Sequence, residues 1–131
     1  MIDHVGFAVS DIDRSRAFYE AALAPLGITL IMDIPPKQNA QGGGGRALGF
    51  GTPENPFFWV ADNQRVGEGT HVAIKVDRRA LVDAFHEAAI AAGGRDNGAP
   101  GIREHYHPNY YAAFVFDPDG FNIEAVCHRP E

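Results

Sequence analysis

A chain of 131 residues has the usual size of one domain, and its 45% hydrophobic content is enough for one core. Its formal net charge is -6, and its 11 basic residues are scattered, which excludes a basic stripe for nucleic acid. No run approaches the roughly 20 apolar residues of a membrane span, no export leader follows the first methionine, and the single Cys127 cannot form an internal disulfide, so a cytoplasmic setting is expected.

The chain opens with strict alternation. Val5, Phe7 and Val9 fall on one side of a strand and His4, Gly6 and Ala8 on the other, so the histidine heads a face of small residues. A helix is expected over residues 13–24, capped by Ser10, Asp11 or Asp13 and stopped by Pro25 and Gly27. Shorter strands are expected over 29–33, 46–51 and 57–61. Residues 35–45, with two prolines and four consecutive glycines, have the composition of a mobile surface loop or of a lid over a cleft.

Residues 62–69 form a short polar linker, after which the pattern begins again. A shift of 67 positions, the separation of His4 and His71, lays His4-Val5 on His71-Val72, Ala17-Phe18 on Ala84-Phe85, Glu20-Ala21-Ala22 on Glu87-Ala88-Ala89, and Gly27 on Gly94. One ungapped shift over a strand, a helix and the following turn marks an internal duplication. In the second copy Val72, Ile74 and Val76 face the helix side, opposite His71, Ala73 and Lys75. The second helix is expected over 78–92 with Asp77 as cap, its apolar stripe formed by Leu81, Val82, Phe85, Ala88, Ala89 and Ala92. Tyr19 and His86, at equivalent places beside the stripes, read as partly exposed helix residues. Strands follow over 110–117 and 121–127, joined by the tight-turn sequence Asp117-Pro-Asp-Gly120, while a strand near Arg95 is hard to place. The halves, 1–61 and 70–131, therefore read as one domain of two modules sharing a core. Cys127 reads as a buried structural thiol.

His4-Val-Gly-Phe-Ala-Val, Phe18-Tyr19, His71-Val-Ala-Ile and above all Asp117-Pro-Asp-Gly-Phe-Asn-Ile-Glu124 resemble the vicinal oxygen chelate superfamily of glyoxalases, bleomycin-resistance proteins and extradiol dioxygenases, over nearly the whole chain. The resemblance implies an α+β fold of two βαβββ modules forming an incomplete barrel around a divalent metal, with His4, His71 and Glu124 as ligands. It also implies a homodimer, or pairing of modules within one chain. The fourth ligand position of glyoxalases falls on Trp59, whose ring N–H donates hydrogen bonds and cannot ligate. Two imidazoles and one carboxylate suit iron, zinc, nickel, manganese or cobalt. The function implied is a metal-dependent lyase, isomerase or dioxygenase acting on a small oxygenated substrate, with Glu124 as base. The alternative is a metal-free binding protein like the bleomycin-resistance members, in which His4 and His71 hydrogen-bond Glu124. Residues 100–111 concentrate polar and aromatic side chains and are the expected substrate wall. There Arg103 suits an anionic group, His105 and His107 suit proton transfer, and Tyr106, Tyr110 and Tyr111 suit hydrogen bonding or stacking. Of these, His105 and Tyr111 are the candidate catalytic groups, and Trp59 is a candidate substrate contact.

Overall fold

The computed structural model describes residues 2–41 and 43–131; Gly42, within the glycine run, lies outside the described residues. The first module runs β1 (Val5–Ala8), α1 (Ile12–Leu23), β2 (Thr29–Ile34), β3 (Ala47–Thr52) and β4 (Asn55–Ala61). The second repeats it with β5 (His71–Val76), α2 (Arg79–Ala91), β6 (Arg95–Ile102), β7 (Tyr111–Phe116) and β8 (Asn122–Cys127). Each module is one four-stranded mixed sheet, ordered β1-β4-β3-β2 and β5-β8-β7-β6, with the first and last strands parallel. Two βαβββ modules with unclosed sheets are what the duplication predicts. Among the described residues no helix is long and apolar enough to cross a membrane.

Local chemistry sets the helix ends. The Asp11 carboxylate accepts from the Arg14 N–H, so Asp11 is the cap of α1, and Gly27 takes a φ of 75° after a short 3-10 turn through Pro25. Asp77, expected to cap α2, stands one residue too early. Arg78 is the cap residue, and the Glu131 carboxylate accepts from the Arg79 N–H instead. Between β2 and β3, Pro36–Gln38 form a 3-10 turn and the Asn39 amide donates to the Gly45 carbonyl.

The helix-facing sides of both sheets belong to one core. Phe18, Tyr19 and Leu23 of α1, Phe85 and Ala89 of α2, and Phe50, Phe58, Ile123 and Ala125 from the sheets are buried together. Phe7 meets Phe58 and Phe121 edge-on at 5.3 and 4.9 Å, which binds β1 to the second module's turn. Tyr19 departs from the expectation of a half-exposed residue: it is fully buried, and its hydroxyl donates to Asp117 Oδ2 at 2.6 Å. The reason is tertiary, because the Asp117-Pro-Asp-Gly120 turn folds back onto α1. Asp117 Oδ1 also accepts from the Asp119 and Phe121 N–H groups, and Asp119 accepts from Ser10. Burial pushes both the Asp117 carboxyl and the Tyr19 hydroxyl above their ordinary values. His86 is half-buried as expected, its Nε2 2.8 Å from Asp96.

On the surface of the first module Arg46 bridges Asp33 and Asp13, at 2.7 and 2.9 Å. The Arg46 hydrogen bond holds the Asp33 carboxyl below its ordinary value. A carboxyl lowered in the folded state stabilises at pH values above its unfolded pKa of about 3.9, and that contribution is lost as pH falls through the folded value. Asp33→Asn should therefore flatten the acid limb of the stability curve below about pH 4, measured by urea unfolding across pH.

Candidate functional site

Strand alternation sends Val72, Ile74 and Val76 to the core and His71 to the opposite face of the second sheet. On that face Glu124 lies at the centre, opposite Ala73 on β5 and Phe114 on β7. His71 Nε2 stands 3.2 Å from Glu124 Oε2, and the Tyr110 hydroxyl donates to Glu124 Oε1 at 2.5 Å. Glu124 is 1% exposed, whereas His71 remains 44% exposed at its side chain. The second imidazole nitrogen is equally informative. His71 Nδ1 lies 2.9 Å from the backbone carbonyl of Asn122, which can only accept, so Nδ1 carries a hydrogen. In the neutral ring Nε2 is then a lone pair aimed at a carboxylate, and a cation, either a proton or a metal ion, completes the pair. This arrangement, an imidazole oriented by a backbone carbonyl and a carboxylate held by a neighbouring hydroxyl, is the support that metal ligands receive from their surroundings.

Tyr110 is fixed in turn. Its ring packs against Tyr106 and His128, each with centroids 5.0 Å away, and burial with the Glu124 hydrogen bond pushes its hydroxyl up to about 12. Arg103 lies 5.4 Å over the Phe114 ring and donates to the Ala99 and Gly101 carbonyls, so it shapes the loop as well as facing the site. With His105, Tyr106, Phe114 and Asn122 it lines a cavity of about 340 Å³. His107 is exposed, accepts from the Asn109 N–H, and faces His128 at 5.8 Å. The expected substrate wall is thus a loop over residues 103–110, while Pro100 to Ile102 belong to β6.

Tyr111 does not join this site. Adjacent residues of a strand point to opposite faces, so Tyr111 turns toward α2, where it donates to Asp83 at 2.6 Å beneath the Arg79 guanidinium. The Asp83 hydrogen bond pushes its hydroxyl up to about 12. Its assignment as a catalytic group is corrected accordingly. His128, conversely, was not singled out from the sequence, although alternation from Glu124 through Val126 places it on the same face.

His4 is elsewhere. It is 58% exposed at its side chain, with Nδ1 2.7 Å from Asp3, and it lines a cavity of about 300 Å³ on the first sheet with Gly6, Ala47, Trp59 and Gln64. A groove of about 360 Å³ between β1 and β5 also touches His4 but neither His71 nor Glu124. Among the described residues no group of three or more His, Cys, Asp and Glu side chains gathers closely enough to hold a metal ion. The single pocket expected to contain His4, His71 and Glu124 is therefore not formed within one chain. The cause is the shared core: both sheets turn their helix-facing sides inward, so the two histidine faces look outward separately. One chain offers a nitrogen and an oxygen donor at His71 and Glu124 and does not by itself complete a three-ligand site.

Trp59 holds the place on β4 that Glu124 holds on β8. Gly6 and Gly49 flank Trp59 as Ala73 and Phe114 flank Glu124. The carboxylate of the second module thus has an indole as its counterpart. Glu54 lies exposed in the preceding turn, and the Asp62 carboxylate accepts from the Arg46 N–H.

The model of the Glyoxalase/Bleomycin resistance protein/Dioxygenase superfamily matches residues 1–125. The chain belongs to that superfamily. A glyoxalase/bleomycin resistance protein from Albidiferax ferrireducens T118 superposes with a TM-score of 0.79 at 28% identity, covering 97% of this chain and 98% of that one. Glyoxalase I from Zea mays superposes with a TM-score of 0.67 at 25% identity, covering 99% of this chain but 45% of that one, so this superfamily member spans about half the maize chain. A glyoxylase/bleomycin resistance protein/dioxygenase domain from Frankia sp. EAN1pec shares the fold, with a TM-score of 0.73 at 17% identity and 98% coverage of each chain. No curated protein sequence matches the chain.

Proposed function

We propose that this protein is a cytoplasmic enzyme acting on a small oxygenated metabolite at divalent-metal sites shared between two copies, His71 and Glu124 of one copy meeting His4 of the other. The observation that carries this reading is the orientation of His71, whose Nδ1–H on a carbonyl leaves Nε2 facing Glu124 Oε2 at 3.2 Å. Two further features support a second copy. The His4 ring has Asp3 at Nδ1 and no hydrogen-bond partner at Nε2 among the described residues. The maize glyoxalase I chain is more than twice the length of this unit.

The metal would be zinc, iron, nickel, manganese or cobalt, all of which accept this nitrogen and oxygen set. The reaction is a lyase, isomerase or dioxygenase reaction. With Trp59 where a second carboxylate would stand, a proton moving between neighbouring carbons has Glu124 as its base, and the loop carrying Arg103, His105, Tyr106 and His107 screens the substrate from water. A metal-free binding protein is the second reading. It is favoured by the fact that both Glu124 oxygens already have partners in one chain.

Metal analysis of the purified protein separates the two. About one equivalent per chain is expected, lost in His4→Ala, His71→Ala and Glu124→Gln. No metal uptake by the wild type at micromolar free zinc, nickel, manganese, cobalt or iron(II) would leave the binding reading, and uptake unchanged by all three substitutions would remove these residues from the site.

A further inference from the structure

On the outward face of the first sheet Trp59 is flanked by small residues of the neighbouring strands, with Met32 and Ile34 of β2 beyond them. Trp59 lies between Gly6 on β1 and Gly49 on β3, and alternation adds Ala8, Ala47 and Ala61 to the same face. A Cβ at Gly49 would fall 2.7 to 2.9 Å from the Cη2, Cζ2 and Cε2 atoms of the indole, and one at Gly6 would fall 3.3 Å from Trp59 Cβ. The ring therefore lies flat on the Gly49 main chain, which needs glycine there. Its Nε1–H donates to the Pro56 carbonyl at 2.9 Å, so the ring is pinned at its edge as well. One face of the indole is covered by the Gly49 main chain, and Trp59 lines, with His4 and Gln64, a cavity of about 300 Å³. Among the described residues no carboxylate, lysine or arginine lines that cavity.

We propose that this cavity is a subsite for an uncharged planar aromatic or heteroaromatic ring, stacked on Trp59 and hydrogen-bonded at its rim by His4 or Gln64. A fixed aromatic slab with one open face favours a flat ring in offset stacking. The absence of charged groups from the lining disfavours an ionic ligand, which would be desolvated without compensation. The cavity volume, at the low end for small-molecule sites, suits one ring or two fused rings. The lining of the subsite comes from the first module alone, and Trp59 holds the ring whether or not His4 also meets a metal.

Trp59 is the sole tryptophan, so its fluorescence reports on this cavity without labels. The probe is 4-nitrobenzyl alcohol, a neutral planar ring with a hydroxyl, titrated into the full-length protein in the presence of a chelator. Saturable quenching is expected, with affinity about tenfold weaker for Trp59→Ala in equilibrium dialysis and intermediate for Trp59→Phe. Gly49→Ala should lift the indole and weaken the probe similarly, with circular dichroism showing the fold retained. Cyclohexylmethanol, of similar size but not flat, should fail to displace the probe, and 4-nitrobenzyltrimethylammonium should bind more weakly. Quenching that rises linearly without saturation, or equal probe binding by wild type, Trp59→Phe and Gly49→Ala, would overturn the proposal. Because the chelator is present throughout, loss of the metal reading and loss of this subsite are separate outcomes.

Discussion

Mixing His4→Ala chains with Glu124→Gln chains should return metal binding that neither variant shows alone. Each variant's own dimer would lack the same group in both of its sites. In a mixed dimer one site receives both damaged groups and the other receives both intact ones, so half of the sites are restored. With random exchange of subunits, about a quarter of the wild-type metal content is expected, because His4 and Glu124 do not gather into one cluster within one chain among the described residues. Glutamine keeps the length of Glu124 and can still accept from the Tyr110 hydroxyl, so the buried site loses its charge with little change of shape. The measurement is metal content after the two proteins are unfolded together, refolded and passed over a sizing column. Recovery absent from a verified mixed dimer would mean that the site is not divided between copies. Metal bound by a monomeric fraction of the wild type would mean that the modules can meet within one chain.

Asp117→Ala should be the most destabilising single substitution outside the apolar core, by about 3–5 kcal/mol in urea unfolding near neutral pH. The carboxylate receives the Tyr19 hydroxyl and the N–H groups of Asp119 and Phe121, and alanine leaves all of these without their acceptor. The Tyr19 hydroxyl suffers most, since Tyr19 is fully buried and its ring packs among Phe7, Phe18, Phe50 and Phe58. Asp117→Asn should cost far less, since its carbonyl can accept from the two N–H groups and its amide can donate to the tyrosine oxygen. The pH dependence separates the two effects. Burial raises the Asp117 carboxyl, so its favourable contribution is present at low pH and declines as pH rises through the raised value, and the asparagine variant should gain on the wild type in that direction. A loss under about 1 kcal/mol for the alanine variant would show that the turn does not clasp the first module.

Much of this architecture is legible in the residues because the signal repeats. Alternation around His4 and His71 gives both the opening strands and the faces that carry the histidines, and the Asp117-Pro-Asp-Gly120 turn fixes the parity that brings Glu124 beside His71. The same turn register predicts that Trp59 stands opposite Glu124 in the duplication, as the strand pairings have it. What escaped depends on contacts between distant parts of the chain. Tyr19 reads as half-exposed from its helix alone, because its cover comes from a turn 98 positions away. β6 gives no alternation, since Gly98, Pro100 and Gly101 interrupt it and its pairing with β7 slips at two points. Tyr110 and Tyr111 look equivalent as a pair, although strand geometry had to send them to opposite faces. Nor does any local pattern in one chain say whether His4 turns toward the other histidine or away from it.

The exchange of an indole for a carboxylate at matching places has a consequence for how such a protein changes over time. Behind Trp59 the strand neighbours Leu48, Phe50, Phe58 and Val60 are almost wholly enclosed, and they face away from the exposed slot. On the proposed assignment, ligand preference and foldedness are thus written on opposite sides of one sheet. A lineage can rewrite the first, one residue at a time, while selection for the second goes on undisturbed.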